Sequence, residues 1–138
     1  MAGLTVAGAD AILADNFAPW VLAMGIATQS VGPEGVTLSI PFSDELCRVG
    51  GTMCGQALAA GADTAMVIAL AAAMGGFKPV TTVDLSTTFM RPIADKDAVL
   101  EAKVVRLGKT LGFCTCEIHE KGGTRPAVIA RATYAISS

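Results

Sequence analysis

Hydrophobic and polar positions along the chain change period several times, and each change predicts an element. Residues 8–18 form a short, mostly apolar run with helical spacing; Asp10 is a cap candidate and Pro19 falls where a helix should stop. Trp20 to Val31 reads as a strand, Gly32-Pro33-Glu34-Gly35 as a turn, and Val36 to Phe42 as a second strand with its apolar residues on even positions, so the two runs predict a hairpin. Ser43 to Gly51 is polar and irregular. A long run from about Thr52 to Met74 then has apolar residues nearly all round a helical wheel, with Thr52 as an N-cap type and Gly75-Gly76 as a stop. After Pro79 the period becomes two. Thr82, Asp84, Ser86 and Thr88 are expected on one face of a strand, Val83, Leu85 and Phe89 on the other. Asp95-Lys96-Asp97, Gly108-Lys109 and Lys121-Gly122-Gly123-Thr124 are turns between further strands over Val99–Leu107, Leu111–Glu120 and Ala127–Ile136. Four consecutive strands with short turns predict an antiparallel meander. An apolar helix of this length has nowhere to bury its circumference unless one sheet wraps it. The fold class expected is α+β, one domain over residues 1–138.

Composition narrows the function classes. The chain has 138 residues, 52% of them hydrophobic and 16% charged, so it can close a core and still leave apolar surface for a subunit interface. A formal net charge of −2 gives no basic field for nucleic acid. The cysteines are Cys47, Cys54, Cys114 and Cys116; none forms a Cys-x-x-Cys pair, and with His119 as the one histidine there is poor material for zinc. Cys114 and Cys116 read as packing residues, and His119 as an exposed residue near a turn. Met1-Ala2-Gly3-Leu4 carries no basic leader region, and free thiols suit a reducing cytoplasm. Met53 to Met74 is long enough to cross a membrane, but Gln56, Asp63 and Thr64 interrupt it. An aspartate at the centre of a spanning helix costs about 2.5–3.5 kcal/mol on insertion scales, so a buried helix is the better reading and no membrane partner is expected.

The chemistry gathers around the start of that helix. The segment Arg48-Val49-Gly50-Gly51-Thr52-Met53-Cys54-Gly55-Gln56, continuing through Ala57 to Asp63, resembles the helix-start signature of the phenylacetate-degradation (PaaI-like) hotdog thioesterases. That family shows Asn-x-x-Gly-x-x-His-Gly-Gly followed by a helix reaching Leu-Ala-Asp. Gly51 falls on the first glycine, Gly55 on the glycine after the histidine, and Asp63 on the acid. Thr82-Val83-Asp84-Leu85, Phe89-Met90-Arg91-Pro92 and Gly108-Lys109-Thr110-Leu111 resemble the later strands, so the likeness covers about residues 20–137. Arg48 stands at the family's asparagine, Cys54 at its histidine and Gln56 at its second glycine. These departures bear on the side of the site that binds the carbonyl. The resemblance implies a hotdog fold, acyl-CoA hydrolysis without a metal or redox cofactor, and a homodimer with composite sites, often paired into a dimer of dimers.

Each residue also has its own physical reading. In the helix's first turn the Gly55 N–H has no intrahelical partner and sits at the positive end of the helix dipole, where it can polarise a thioester carbonyl. Steric packing at a helix start is the plainer account. Asp63 is a carboxylate in an apolar helix, costly unless hydrogen-bonded or used; its chemical roles are general base for water or nucleophile, its bland one an ion held by a polar neighbour. Gly55 and Asp63 are eight residues apart, roughly 12 Å along a helix axis, so one thioester cannot touch both in one chain. Two antiparallel helices across a twofold axis would supply one group each. By the resemblance, Thr82 matches a position where the family carries serine or threonine, which implies a hydroxyl that holds water or orients Asp63; a β-favouring strand residue is the equal alternative, and Asp84 is a weaker candidate. Cys54 is a thiol at a helix start, read chiefly as a small hydrophobe. The resemblance places CoA contacts around Arg91, Pro92, Arg106, Lys109, Thr110 and Leu111, where cations suit phosphates. The rival readings are a non-catalytic acyl-CoA or small-ligand binding protein, and a hydratase, which usually pairs a histidine with its acid.

Overall fold

A computed structural model describes residues 3–137, so the Met1-Ala2 start and Ser138 lie outside the described residues. The order of elements is helix α1 (Val6–Asn16), short helix α2 (Pro19–Leu22), strands β1 (Ala27–Gly32) and β2 (Gly35–Ile40), a 3₁₀ turn (Asp44–Leu46), helix α3 (Gly55–Met74), and strands β3 (Val80–Phe89), β4 (Ala98–Leu107), β5 (Leu111–Glu120) and β6 (Val128–Ile136). All six strands form one antiparallel sheet in the order β1-β2-β4-β5-β6-β3, and α3 packs along it. This is the hotdog arrangement: an α+β fold with a sheet curved around a long central helix.

The core follows from the patterns. Val36, Leu38 and Ile40 of β2, Ala98, Leu100 and Ala102 of β4, Cys114, Cys116 and Ile118 of β5, and Val128, Ala130, Ala132 and Tyr134 of β6 all point inward and are buried. Against them lies the buried face of α3, from Ala57 and Leu58 through Met66, Ile68 and Leu70. Gly61 and Gly112 set how closely helix and sheet approach. A Cβ on Gly61 would stand 2.7 Å from Ile40 Cδ1 and 2.9 Å from Leu100 Cδ2; one on Gly112 would stand 2.6 Å from Leu70 Cδ2. The helix stops at Gly75, whose φ of 75° is left-handed and whose N–H reaches back to the helix carbonyls.

Several expectations change. The helix begins two residues later than the Thr52 cap implied: Cys54 is the N-cap, while Thr52 bridges to Ala94. Asp10 does not cap α1. Thr5 does, accepting from Gly8 N at 3.0 Å, and Asp10 reaches across to accept from Thr28 N at 2.8 Å, tying α1 to the edge strand. Trp20 belongs to α2 and not to a strand, because Pro19 at a first helical position starts a new turn after α1 has ended. The four later strands are not a simple meander. β4, β5 and β6 are, but β3 pairs with β6 at the far edge, and the connection through the buried Ile93 carries the chain back so that β4 can pair with β2.

The sheet also has bulges that a period-two reading misses. Thr82 pairs with Tyr134, but Asp84 pairs with Thr133, so Val83 is an inserted residue. Beyond it Leu85, Thr87 and Phe89 sit opposite Ala132, Ala130 and Val128, on the helix side. Asp84, Ser86 and Thr88 therefore face outward, and Thr82 and Asp84 do not share a face. A similar insertion at Val105 sets Arg106 opposite Phe113.

Replacing Gly61 with leucine is expected to destabilise the fold by about 1–3 kcal/mol, since the added carbons overpack a site already in contact with Ile40 and Leu100. Urea denaturation of the two proteins checks this; an unchanged midpoint would refute the close approach.

Candidate active site

Two clusters of candidate site residues lie along α3, one at its start and one near its middle. At its start, the segment Cys47–Cys54 folds into a tight loop: Arg48 N donates to Thr52 O at 2.9 Å, Cys54 N to Leu46 O at 2.8 Å, and Met53 N to Ile93 O at 2.9 Å. The loop delivers Gly55 as the first helical residue, its N–H without an acceptor inside the helix. The tip of the Phe89 ring stands against Gly55, where a Cβ would meet Phe89 Cζ at 3.4 Å, an ordinary contact that a larger, branched side chain would exceed. Beside it is a cleft of about 370 Å³ lined by Arg48, Met53, Leu58 and Phe89, with Arg91 and Pro92 at its edge. Arg48 is exposed, and its Nη1 donates to Val49 O at 2.9 Å. The Arg91 guanidinium donates to Pro126 O at 3.4 Å. Cys54 is half-buried, and its side chain makes no capping bond.

The second cluster surrounds Asp63, two turns further along. Its carboxylate is half-buried. Tyr134 Oη donates to Asp63 Oδ1 at 2.7 Å and lies 3.1 Å from the Asp63 main-chain oxygen. Thr82 Oγ1 lies 3.2 Å from Oδ1 and 3.4 Å from Oδ2. The Val83 bulge is what brings the Thr82 hydroxyl to this side of the sheet, a use of bulges common beside sites. Tyr134 is fully buried; burial, then the adjacent Asp63 charge, pushes its phenol far above the ordinary tyrosine range. It is a donor here and nothing else.

The expected CoA residues divide between the two clusters. Arg91 and Pro92 accompany Gly55. Lys109, Thr110 and Leu111 form the exposed β4–β5 turn at the Asp63 end, where Ile136 N donates to Thr110 O at 2.8 Å and Leu111 pairs with Ala135. Arg106 approaches that turn on the outer side of the sheet. One chain thus carries the Gly55 helix start and the Asp63 carboxylate as two separate clusters and does not bring them together.

Tyr134 was missed in the sequence reading. The available signal was that it is the sole tyrosine and continues the inward alternation Val128, Ala130, Ala132; a buried phenol needs an acceptor. His119 is not simply exposed: its Nε2 meets Glu101 Oε1 at 2.9 Å and its Nδ1 meets Glu120 O at 3.0 Å. Cys114 and Cys116 are core residues, as expected.

Comparison with known proteins gives the family and the fold. A family profile described as "Thioesterase superfamily" matches residues 50–127, more than half of the chain and the stretch that carries Gly55, Asp63 and Thr82. The chain belongs to the thioesterase superfamily. It is 28% identical over 86 residues to a Thermoplasma acidophilum protein named "Putative esterase Ta0293"; the match covers 56% of this chain and 58% of that relative. The fold is shared with a thioesterase of Haemophilus influenzae, at TM-score 0.86 and 17% identity over 100% of this chain and 96% of that one. It is shared too with the Escherichia coli PaaI protein of the phenylacetic acid degradation operon, at TM-score 0.82 and 19% identity over 96% and 92%.

Burial pushes the Cys114 and Cys116 thiols up to about 12, so both stay protonated at pH 8 and are shielded from reagents. Mass analysis after thiol alkylation of the native protein at that pH should find these two unmodified, and modified after unfolding. Labelling of either in the native state would contradict their place in the core.

Proposed function

We propose that the protein hydrolyses acyl-CoA thioesters in the manner of the PaaI-like enzymes, with Asp63 as general base or nucleophile and the Gly55 N–H as the carbonyl's hydrogen-bond donor. The observation that carries this is the Asp63 carboxylate: a charged group in the middle of the core helix, anchored by Tyr134 and Thr82 through Oδ1, with Oδ2 held only by Thr82 at 3.4 Å.

As a base, Asp63 takes a proton from water while the water oxygen bonds to the thioester carbon. The carbonyl oxygen gains charge against the helix start at Gly55, the C–S bond breaks, and the CoA thiolate leaves with the proton from Asp63. As a nucleophile, Asp63 bonds to the same carbon and expels the thiolate; water then opens the anhydride to acid and free Asp63. Both routes give a carboxylic acid and CoA. An aligned donor at Gly55 is worth about 2.7–4 kcal/mol in the transition state.

The site requires two chains in this reading. Gly55 and Asp63 are separated by roughly 12 Å along α3. The open stripe of α3 runs through Gln56, Ala59, Ala60 and Asp63, small or polar residues that let another helix come close. Beside it β3 is an uncovered edge, with Val83 61% and Phe89 49% exposed. A second copy related by a twofold axis along this edge, with the helices antiparallel, would set one chain's Gly55 and Arg91 against the partner's Asp63 and Lys109 turn. Two complete sites result, and the exposed apolar strand is covered. The dimer is expected to pair further into a dimer of dimers.

Asp63→Asn should lower CoA release at least a hundredfold across short, long and aromatic acyl-CoAs, followed by mass of the products, without changing the oligomer. Substantial turnover in that variant would remove Asp63 from the chemistry. If the wild type hydrolyses nothing yet binds CoA esters tightly, the protein is a binding module, a reading favoured by Cys54 at the family's histidine position. The composite site has its own test. Gly55→Val should be inactive because its side chain meets Phe89. Heterodimers of Gly55→Val and Asp63→Asn chains should regain about half the wild-type rate, since one of two sites is then intact. Persistent inactivity of such heterodimers would place the whole site within one chain.

A further inference from the structure

We propose that Tyr134 is the positioning residue for Asp63, and that by occupying Oδ1 it makes Oδ2 the oxygen that reacts. This rests on the thioesterase reading above and adds to it which atom acts and what holds it.

Tyr134 sits on β6 between Thr82 of β3 and Gly112 of β5, its register partners. It is fully buried, so its orientation is set by the core and not by solvent. The phenol has one proton and two acceptors within reach, Asp63 Oδ1 at 2.7 Å and the Asp63 main-chain oxygen at 3.1 Å. The shorter contact has the length of a bond to a charged acceptor, and the main-chain oxygen already serves the helix. The proton therefore lies toward Oδ1. The Thr82 hydroxyl, on the exposed edge strand, adds a longer contact of 3.2 Å to the same oxygen and 3.4 Å to Oδ2. Oδ1 is thus committed, while Oδ2 keeps lone pairs for water or the thioester carbon. Tyr134 neither touches substrate nor gives up its proton. It fixes the carboxylate's rotation.

The test compares wild type, Tyr134→Phe and Asp63→Asn. Phenylalanine fills the same space, so the core is retained. Tyr134→Phe should lower kcat roughly tenfold or more with KM for the CoA ester little changed. An unchanged kcat, or a loss carried by KM alone, would overturn the proposal. A second readout needs no turnover. The ¹³C carboxyl signal of Asp63, identified by its loss in Asp63→Asn, should change position at pH 8 between wild type and Tyr134→Phe, since the Oδ1 donor is gone; coincident signals overturn the bond. If wild type hydrolyses no ester in the panel, the thioesterase reading and the choice of reacting oxygen fail together, while the carboxyl signal still decides the anchoring. Should Tyr134→Phe not fold, the unsubstituted protein serves. Its sole tyrosine should stay un-ionised by ultraviolet absorbance past about pH 11 while circular dichroism reports an intact fold. Ionisation near the ordinary tyrosine value would overturn the proposal.

Discussion

The structure depends on one constraint: a twenty-residue helix, apolar over most of its circumference, has to be buried by a single sheet. Gly55–Met74 meets the length and composition of a membrane span, with mean hydropathy of 1.8 over its most apolar stretch, yet most of that stretch is buried inside the fold. The curvature of the sheet, the glycines that let Ile40, Leu100 and Leu70 close on their neighbours, and the alternation on β2, β4, β5 and β6 all serve this burial. Asp63 is the exception the helix carries. An unsatisfied carboxylate in such surroundings costs several kcal/mol. The sheet meets that cost locally, with a phenol from β6 and a hydroxyl from β3, and keeps the carboxylate at the boundary of the core instead of within it.

That arrangement is sensitive to register. Side chains on a strand alternate, so a one-residue slip turns every one of them over. β3 uses a single inserted residue, Val83, to present both Thr82 and Leu85 to the helix side. Without the bulge Thr82 could face Asp63 only if Leu85 and Phe89 turned outward. Phe89 could not then lie over Gly55. The bulge therefore joins the two half-sites structurally: it sets the acid's hydroxyl partner at one end of β3 and the aromatic cover of the helix start at the other.

What could be read from the sequence divides along the same physical lines. The β1–β2 hairpin and the central helix were legible because burial is one-sided in the first, written as Val36, Leu38 and Ile40, and nearly continuous in the second. Asp63 and Gly55 were legible because a carboxylate in an apolar helix and a glycine at its start break a local rule. The strand order was not legible, because pairing β3 with β6 depends on a connection whose buried anchor, Ile93, looks like any loop residue. The bulge was hidden because Thr82, Val83 and Asp84 also fit an unbroken strand. Tyr134 was hidden for a different reason. Its role depends on a partner 71 positions away in the chain, and no local pattern records that contact.

The halves of the candidate site stand two turns apart on one helix, and this gives the exposed edge a meaning beyond packing. A long apolar edge strand is a hazard for a solitary chain, since its free backbone groups invite uncontrolled pairing. β3 carries little of what natural edges use against this: it has one charged residue, Asp84, no proline, and a row of threonines and large apolar side chains. Its bulge serves the site. On the proposed dimer the same strand is interior, and the pairing that removes the hazard also brings Gly55 to Asp63. Folding and chemistry would then be coupled through β3. A lesion on that strand that leaves the monomer's core untouched would disable both sites at once, whereas a lesion at Arg91 or at the Lys109 turn would affect only how the thioester is held.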